Sequence, residues 1–375
     1  MRRGSRSAAR PAPLNTGFAA FAGRAGHGVV ECVDLWEQPE RLTQGGPWFV
    51  VVDFEGRSQG GRARAWRFAE ESGDLPDDAD APAAPWRGPA VGSWASSLDR
   101  AQYEAAVARV RREVRDGEVY QANICRVLSA PLPAHDGTEP DARALAEILA
   151  RGNPAPYAGA IHVPASTGVD PVWVVTASPE LYLRLDAGRL SSGPIKGTAR
   201  SAAGLTDKDR AENVMITDLV RNDLQRVCLP GTVEVTDLLA VEEHPGLVHL
   251  VSRVTGAVEP ALMASGRLWE AVLAATHPPA SVSGAPKSSA LRIIGELESA
   301  PRGPYCGAVG WVDPGAGTAE LAVGIRTFWW DDGVLRFGTG AGITWGSDPA
   351  GEWAETELKA HRLVGLASGG SRHDG

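Results

Sequence analysis

The stretch Ser191-Ser192-Gly193-Pro194-Ile195-Lys196-Gly197-Thr198 constrains this chain more than any other. Pro194 fixes its own φ and biases Gly193 toward extended geometry, while Gly197 allows positive φ or a close backbone approach. A lysine set in such a turn is placed rather than waving. Taken alone, the octamer also fits a solvated lysine in an ordinary turn, the commoner fate of loop lysines. The rest of the chain has to decide.

That rest reads as α+β. Tyr103, Ala106, Val107, Val110 and Val114 fall at helical spacing after Leu98-Asp99, so a helix follows Ser97 and stops at Asp116-Gly117. Further helices are expected over 141–151, 206–228 (with Thr206 as its cap), 260–275, 286–299 and 350–366. Strands are expected near 118–124, 158–163, 172–177, 181–185, 232–241 and 247–257. The segment 305–345 alternates strands with turns such as Asp331-Asp332-Gly333. Strands clustered between helices, with hairpin signals rather than strict βαβ alternation, predict largely antiparallel sheets. Residues 1–15 read as a disordered lead, 16–96 as an amino-terminal β-containing portion ending in a linker over 73–93, 97–367 as the main region, and 368–375 as a mobile tail.

With 375 residues, 43% of them hydrophobic, the chain can bury a large core in one big or two ordinary domains. A net charge of -9 supplies no basic field, which argues against nucleic acid or a membrane surface as partner. An anionic substrate would therefore need local positive charge or a metal. Cys32, Cys125, Cys228 and Cys306 show no CxxC or zinc spacing and fit buried thiols in a reducing cytoplasm. No apolar run approaches the roughly 20 residues of a membrane helix.

Two glycine-rich segments are set aside. Gly338-Thr339-Gly340-Ala341-Gly342-Ile343 lacks the third glycine of a dinucleotide loop. Ser283-Gly284-Ala285-Pro286-Lys287-Ser288 lacks the Walker spacing and reads as a helix start, with Ser283 as cap and Pro286 in the first turn. His249 sits among apolar neighbours and reads equally as a core histidine. Glu352 and Glu355, three apart on one helix, share a face. Alone they fit a solvated acidic first turn; joined by Glu212, they would make an all-oxygen set suited to Mg²⁺.

Taken together and in order, several segments resemble the chorismate-utilising enzymes. They are Glu118-Val119-Tyr120-Gln121-Ala122-Asn123, Ser178-Pro179-Glu180-Leu181, Pro194-Ile195-Lys196-Gly197-Thr198 and the helix Arg210 to Asp223. Ser283-Gly284-Ala285-Pro286-Lys287, Arg302-Gly303-Pro304-Tyr305-Cys306-Gly307, Gly324-Ile325-Arg326-Thr327, Gly340-Ala341-Gly342-Ile343 and Glu352-Trp353-Ala354-Glu355-Thr356 follow. The resemblance implies two antiparallel sheets facing across a cleft, flanked by helices, and Mg²⁺-dependent chemistry on chorismate. It implies Glu212, Glu352 and Glu355 as metal ligands. Arg326 and Tyr305, with the amides of Gly340 and Gly342, would hold the substrate carboxylates. Lys359, Gln121 and Ser281 would touch substrate, and His249 would lie near the departing hydroxyl.

Within the family, isochorismate and salicylate synthases carry a lysine base where this chain has Gln121, which points to ammonia rather than water as nucleophile. Anthranilate synthases usually carry alanine at the position of Lys196. The lysine form is similar to the aminodeoxychorismate synthase component I subfamily, where the amine attacks C2 of the ring, the C4 hydroxyl leaves, and ammonia then adds at C4. Glu180 is the implied general acid, assisted by His249. Ser281 is also closer to that subfamily than the usual threonine of anthranilate synthases. His277 and Ala280 depart from the family's Phe-Pro-Pro-Gly, and no Leu-Leu-Glu-Ser element is found, so tryptophan inhibition is not expected. No Gly-x-Cys-x-Gly elbow surrounds a cysteine; ammonia is expected from a separate glutamine amidotransferase subunit.

Overall fold

The computed structural model describes residues 16–72, 85–199, 201–244 and 247–369. The expected lead, most of the tail and residues 73–84 of the expected linker lie outside them. The chain opens with four strands, β1 Phe18–Phe21, β2 Arg24–Asp34, β3 Trp48–Val52 and β4 Ala63–Ser72. After the short β5 Ala95–Ser96 comes α1 Arg100–Arg115, started by a capping box between Asp99 and Gln102, which satisfies two otherwise orphaned amides. Strand β6 Gln121–Pro131 and helix α2 Ala142–Gly152 follow. Then come β7 Tyr157–Val163, β8 Val172–Ser178, β9 Leu181–Asp186, β10 Arg189–Gly193 and β11 Ile195–Ala199. Helix α3 spans Asp207–Leu224, capped by Thr206 with Asp209 reaching back. The long hairpin of β12 Glu234–His244 and β13 Leu247–Ala257 leads to α4 Pro260–Ala264 and α5 Leu268–Thr276. The chain closes with β14 Gly284–Ala285, α6 Lys287–Leu297, β15 Ala308–Asp313, β16 Thr318–Val323, β17 Thr327–Asp331, β18 Val334–Ile343 and α7 Pro349–Ala367.

All eighteen strands join one antiparallel hydrogen-bonded network. It has two arms that share β4. One arm runs β4–β2–β1–β7–β8–β17–β18–β6, with β5 and β14 on β6. The other runs β4–β3–β15–β16–β9–β10–β13, where β13 also pairs β11 and β12. The amino-terminal strands are thus the seam of the sheet rather than a separate unit. β3 shows why: Trp48-Phe49-Val50-Val51-Val52 is buried at every position, as expected of a central strand covered on both faces. One main apolar core contains residues of both arms together with α1, α3, α5 and α6.

Four local expectations are corrected. Helix α3 ends at Leu224, short of Cys228, because Cys228 turns to bridge Val258 instead. The helix expected over 260–275 is broken: Ser265 Oγ donates to the Leu262 carbonyl and accepts from the Arg267 amide, competing with the helical ladder. Ser283 is not a helix cap. Its hydroxyl donates to the Pro279 carbonyl, and α6 begins after Pro286. The strand expected from Glu118 starts at Gln121 and runs on to Pro131.

Candidate active site

Lys196 lies where β11 bulges. Its register against β13 shifts between Ile195 and Thr198, and Gly197 takes φ +88°. A Cβ on Gly197 would also stand 2.8 Å from the Asp209 Cβ, so only glycine lets α3 pack this closely. The bulge sends the Lys196 side chain inward, where Nζ donates to the Ser281 carbonyl at 2.9 Å. Burial pushes the ammonium below its ordinary pKa, against the opposing pull of Glu212, Glu180 and Glu355; Lys359 adds to the lowering.

Glu180 is 4% exposed, in the turn between β8 and β9. Ser178 Oγ accepts its amide at 3.2 Å and donates to the Val323 carbonyl at 2.6 Å, tying that turn to β16. Burial pushes the Glu180 carboxyl up to about 7, opposed by the Ser281 hydroxyl, the Lys196 charge and the Ile195 amide. A carboxyl and an amine each driven toward its neutral form therefore sit together. Gln121 is buried at the start of β6, and its Oε1 has no hydrogen-bond partner. A Cβ on Gly342 would come 2.2 Å from Gln121 Nε2 and 3.6 Å from Lys196 Nζ. The ten-residue β6–β18 ladder thus sets Gln121 beside Gly342, and Lys196 reaches the same point from β11.

The carboxylates gather around cations. Lys208 Nζ stands 3.7 Å from both Glu212 Oε1 and Glu352 Oε1, drawing α3 and α7 together. Glu212 Oε1 makes no hydrogen bond, and burial raises its pKa. Glu355 instead pairs with Lys359 at 2.6 Å, whose Nζ also donates to the Gly340 carbonyl at 3.1 Å. Among the described residues no three acidic, histidine or cysteine side chains close into a metal cage. The oxygen pair that shares Lys208, with one oxygen unsatisfied, nevertheless fits an ion such as Mg²⁺, which keeps waters and takes few carboxylates.

The other sequence-derived residues divide. Arg326 is half-buried at φ +52°, and its guanidinium pKa is lowered by burial and by Arg362, with no carboxylate offsetting either. Such a cation is primed for an anion. His249 is buried on β13, opposite Thr198 of β11 and Glu242 of β12. Tyr305 is turned toward Cys125: its hydroxyl lies 3.7 Å from Cys125 Sγ, and its ring fills the space that a Gly338 Cβ would need. Gly340 meets the same cysteine, with a Cβ there falling 2.5 Å from Cys125 Sγ. Tyr305 and Gly340 thus share Cys125, whereas Gly342 faces Lys196.

Sequence reasoning overlooked two residues. Lys208 was legible as the i–4 partner of Glu212. Arg302, fully buried, was quoted only as part of a segment. Its guanidinium takes both oxygens of Glu298 and donates to the Val282 and Asn123 carbonyls at 3.0 and 2.7 Å, fixing the turn after Ser281 to the start of β6. His277, which departs from the family pattern, donates through Nε2 to the Asp53 carbonyl at 2.9 Å.

The family model for chorismate binding enzymes matches residues 48–365. The chain belongs to that family. Anthranilate synthase component 1 of Saccharolobus solfataricus is 35% identical over 285 residues, covering 73% of this chain and 63% of the relative. Aminodeoxychorismate synthase component 1 of Salmonella typhimurium is 33% identical over 295 residues, covering 75% and 61%. The chain therefore spans a little over three-fifths of the length of these two relatives. A crystal structure of anthranilate synthase component I from Streptococcus pneumoniae superimposes with a TM-score of 0.73 at 21% identity, over 97% of this chain and 95% of that one. That likeness establishes the chorismate-binding fold. No described helix is long and apolar enough to cross a membrane.

Proposed function

We propose that this chain is an aminodeoxychorismate synthase component I, which aminates chorismate at C4 with ammonia. The observation that carries the reading is the Lys196 amine, part-buried beside Glu180 and held 2.9 Å from the Ser281 carbonyl. Relatives of both amination types match almost equally well, so identity does not choose between them; the lysine at 196 supports amination at C4.

Burial favours the neutral amine of Lys196, the form able to attack. Nζ bonds to C2 of chorismate as the C4–O bond breaks, and the departing hydroxyl takes the proton of Glu180 to leave as water. Ammonia then bonds to C4 and the C2–Nζ bond breaks, returning the amine. The product carries nitrogen in place of the C4 hydroxyl. His249 assists the proton transfer, and Arg326 with Tyr305 and the Gly340 and Gly342 amides anchors the two carboxylates. Ser281, Gln121 and Lys359 line the ring. Glu212, Glu352 and Glu355 would hold Mg²⁺, which supplies charge neutralisation for the dianion. The ammonia would come from a separate glutamine amidotransferase subunit.

The test supplies chorismate, Mg²⁺ and ammonium at mildly alkaline pH and identifies the product by chromatography. Aminodeoxychorismate is expected from the wild type, and Lys196→Ala should lose most of it. Amination at C2 would instead assign an anthranilate or 2-amino-2-deoxyisochorismate synthase, and a mutant of undiminished rate would exclude the covalent route. Binding of chorismate without Mg²⁺ dependence or turnover would mark an idle binding protein.

A further inference from the structure

Glu180 opens onto a small cavity that the proposed reaction leaves unused. Its polar lining comprises Glu180, Tyr182, Ser192, Asp223, Thr276 and Ser281. About 20 Å³ of it is open to the centre of a water molecule, enough for one or two waters. Asp223, from the last turn of α3, accepts from Lys287 Nζ at 2.7 Å through Oδ2. Lys287 also donates to the Thr276 carbonyl at 2.9 Å, and the Thr276 hydroxyl lies 2.6 Å from that of Tyr182. The Lys287 side chain remains 21% exposed. Asp223 and Thr276, both held by the part-exposed Lys287, thus line the same cavity as the buried carboxyl of Glu180.

We propose that Asp223 resupplies Glu180 with its proton through water held in this cavity, with Lys287 as the outer donor. The proposal rests on Glu180 being the general acid, and Asp223 acts through it without touching substrate. A general acid so deeply buried needs recharging after every turnover, and a substrate seated over Lys196 covers the other approach. The Lys287 ammonium passes a proton to Asp223 Oδ2, the carboxyl turns about its Cβ–Cγ bond and passes that proton to the water, and the water passes one to the Glu180 carboxylate. Lys287 then regains a proton from bulk water, so charge balances. Burial raises Asp223 and lowers Lys287, which brings donor and acceptor closer in proton affinity. Facing charges are Lys287 and Arg226 at Asp223, and Lys196 at Glu180.

The experiment compares the first turnover with steady-state turnover of chorismate, Mg²⁺ and ammonium in wild type, Asp223→Asn and Asp223→Glu. At pH 6, below the value of about 7 to which burial raises Glu180, a relay leaves the first turnover at the wild-type rate, because Glu180 starts protonated. Later turnovers slow by about tenfold in Asp223→Asn, with a larger solvent deuterium effect and recovery in imidazole buffer. Asp223→Glu should keep most of the rate. Equal slowing of first and later turnovers, or no slowing, overturns the relay and leaves Asp223 a clamp. If Asp223→Asn does not fold, the Asp223→Asn/Lys287→Met double variant removes both charges of the pair together and is read the same way. A wild type that forms no aminodeoxychorismate refutes the general-acid reading itself, a different failure from an intact wild type with an unaffected variant.

Discussion

Replacing Glu180 with glutamine should stabilise the protein at neutral and alkaline pH while removing its chemistry. The carboxyl is 4% exposed, and burial moves it from its ordinary 4.5 to about 7. That displacement corresponds to about 3 kcal/mol at 1.36 kcal/mol per pH unit. Its sign follows from linkage: below 4.5 the group is protonated both folded and unfolded, and no penalty exists. Between 4.5 and about 7 the unfolded chain releases the proton that the folded one keeps, so wild-type stability falls as pH rises. Above 7 the loss levels off. Glutamine never ionises and escapes that loss, so the difference between the proteins should open across this window and then stay constant. Urea midpoints and slopes measured for both proteins at half-unit steps from pH 4 to 8.5 give the difference directly. The gain should reach about 2–3 kcal/mol at the plateau, less whatever the amide loses in hydrogen bonding to Ser281. A difference independent of pH, or one that shrinks as pH rises, would refute the burial argument. Amination by the same variant should drop by about 10²–10⁴ if Glu180 donates the proton.

Gly342→Ala puts a methyl 2.2 Å from Gln121 Nε2; it should raise the chorismate KM and destabilise by about 1–3 kcal/mol, read by kinetics and thermal melting. Arg302→Met leaves Glu298 buried without its cation, together with the unpaired Val282 and Asn123 carbonyls. A loss of about 3–5 kcal/mol in denaturant unfolding is expected. Lys208→Met removes the cation shared by Glu212 and Glu352. Calorimetric titration should then show Mg²⁺ binding a few-fold more tightly, by about the strength of an exposed ion pair; weaker binding would place the ion elsewhere.

Much of the fold was legible because its signals are local. The capping residues Asp99 and Thr206, the Asp332-Gly333 turn and the apolar run of β3 each act within a few residues, and each stands where the sequence puts it. Signals were misread where a tertiary partner outbid the local preference. Cys228 left its helix to bridge Val258, and Ser283 turned from capping to the Pro279 carbonyl. The pairing of Tyr305 with Cys125 and the grip of Arg302 on the Asn123 carbonyl had no sequence signature, since their partners lie 180 and 179 residues away.

By itself, then, the sequence determined the α+β elements, the family and the identity of the reactive types: one lysine in a glycine-proline turn, three carboxylates on two helices, and the arginine of Gly324-Ile325-Arg326. Only the tertiary structure decided that Lys196 meets Ser281 and Glu180, that Lys208 stands between Glu212 and Glu352, and that Asp223 shares a cavity with Glu180. The reason is electrostatic. A side chain's proton affinity depends on how much water it loses and which charges surround it, and both are properties of the closed sheet, set by strands distant in sequence.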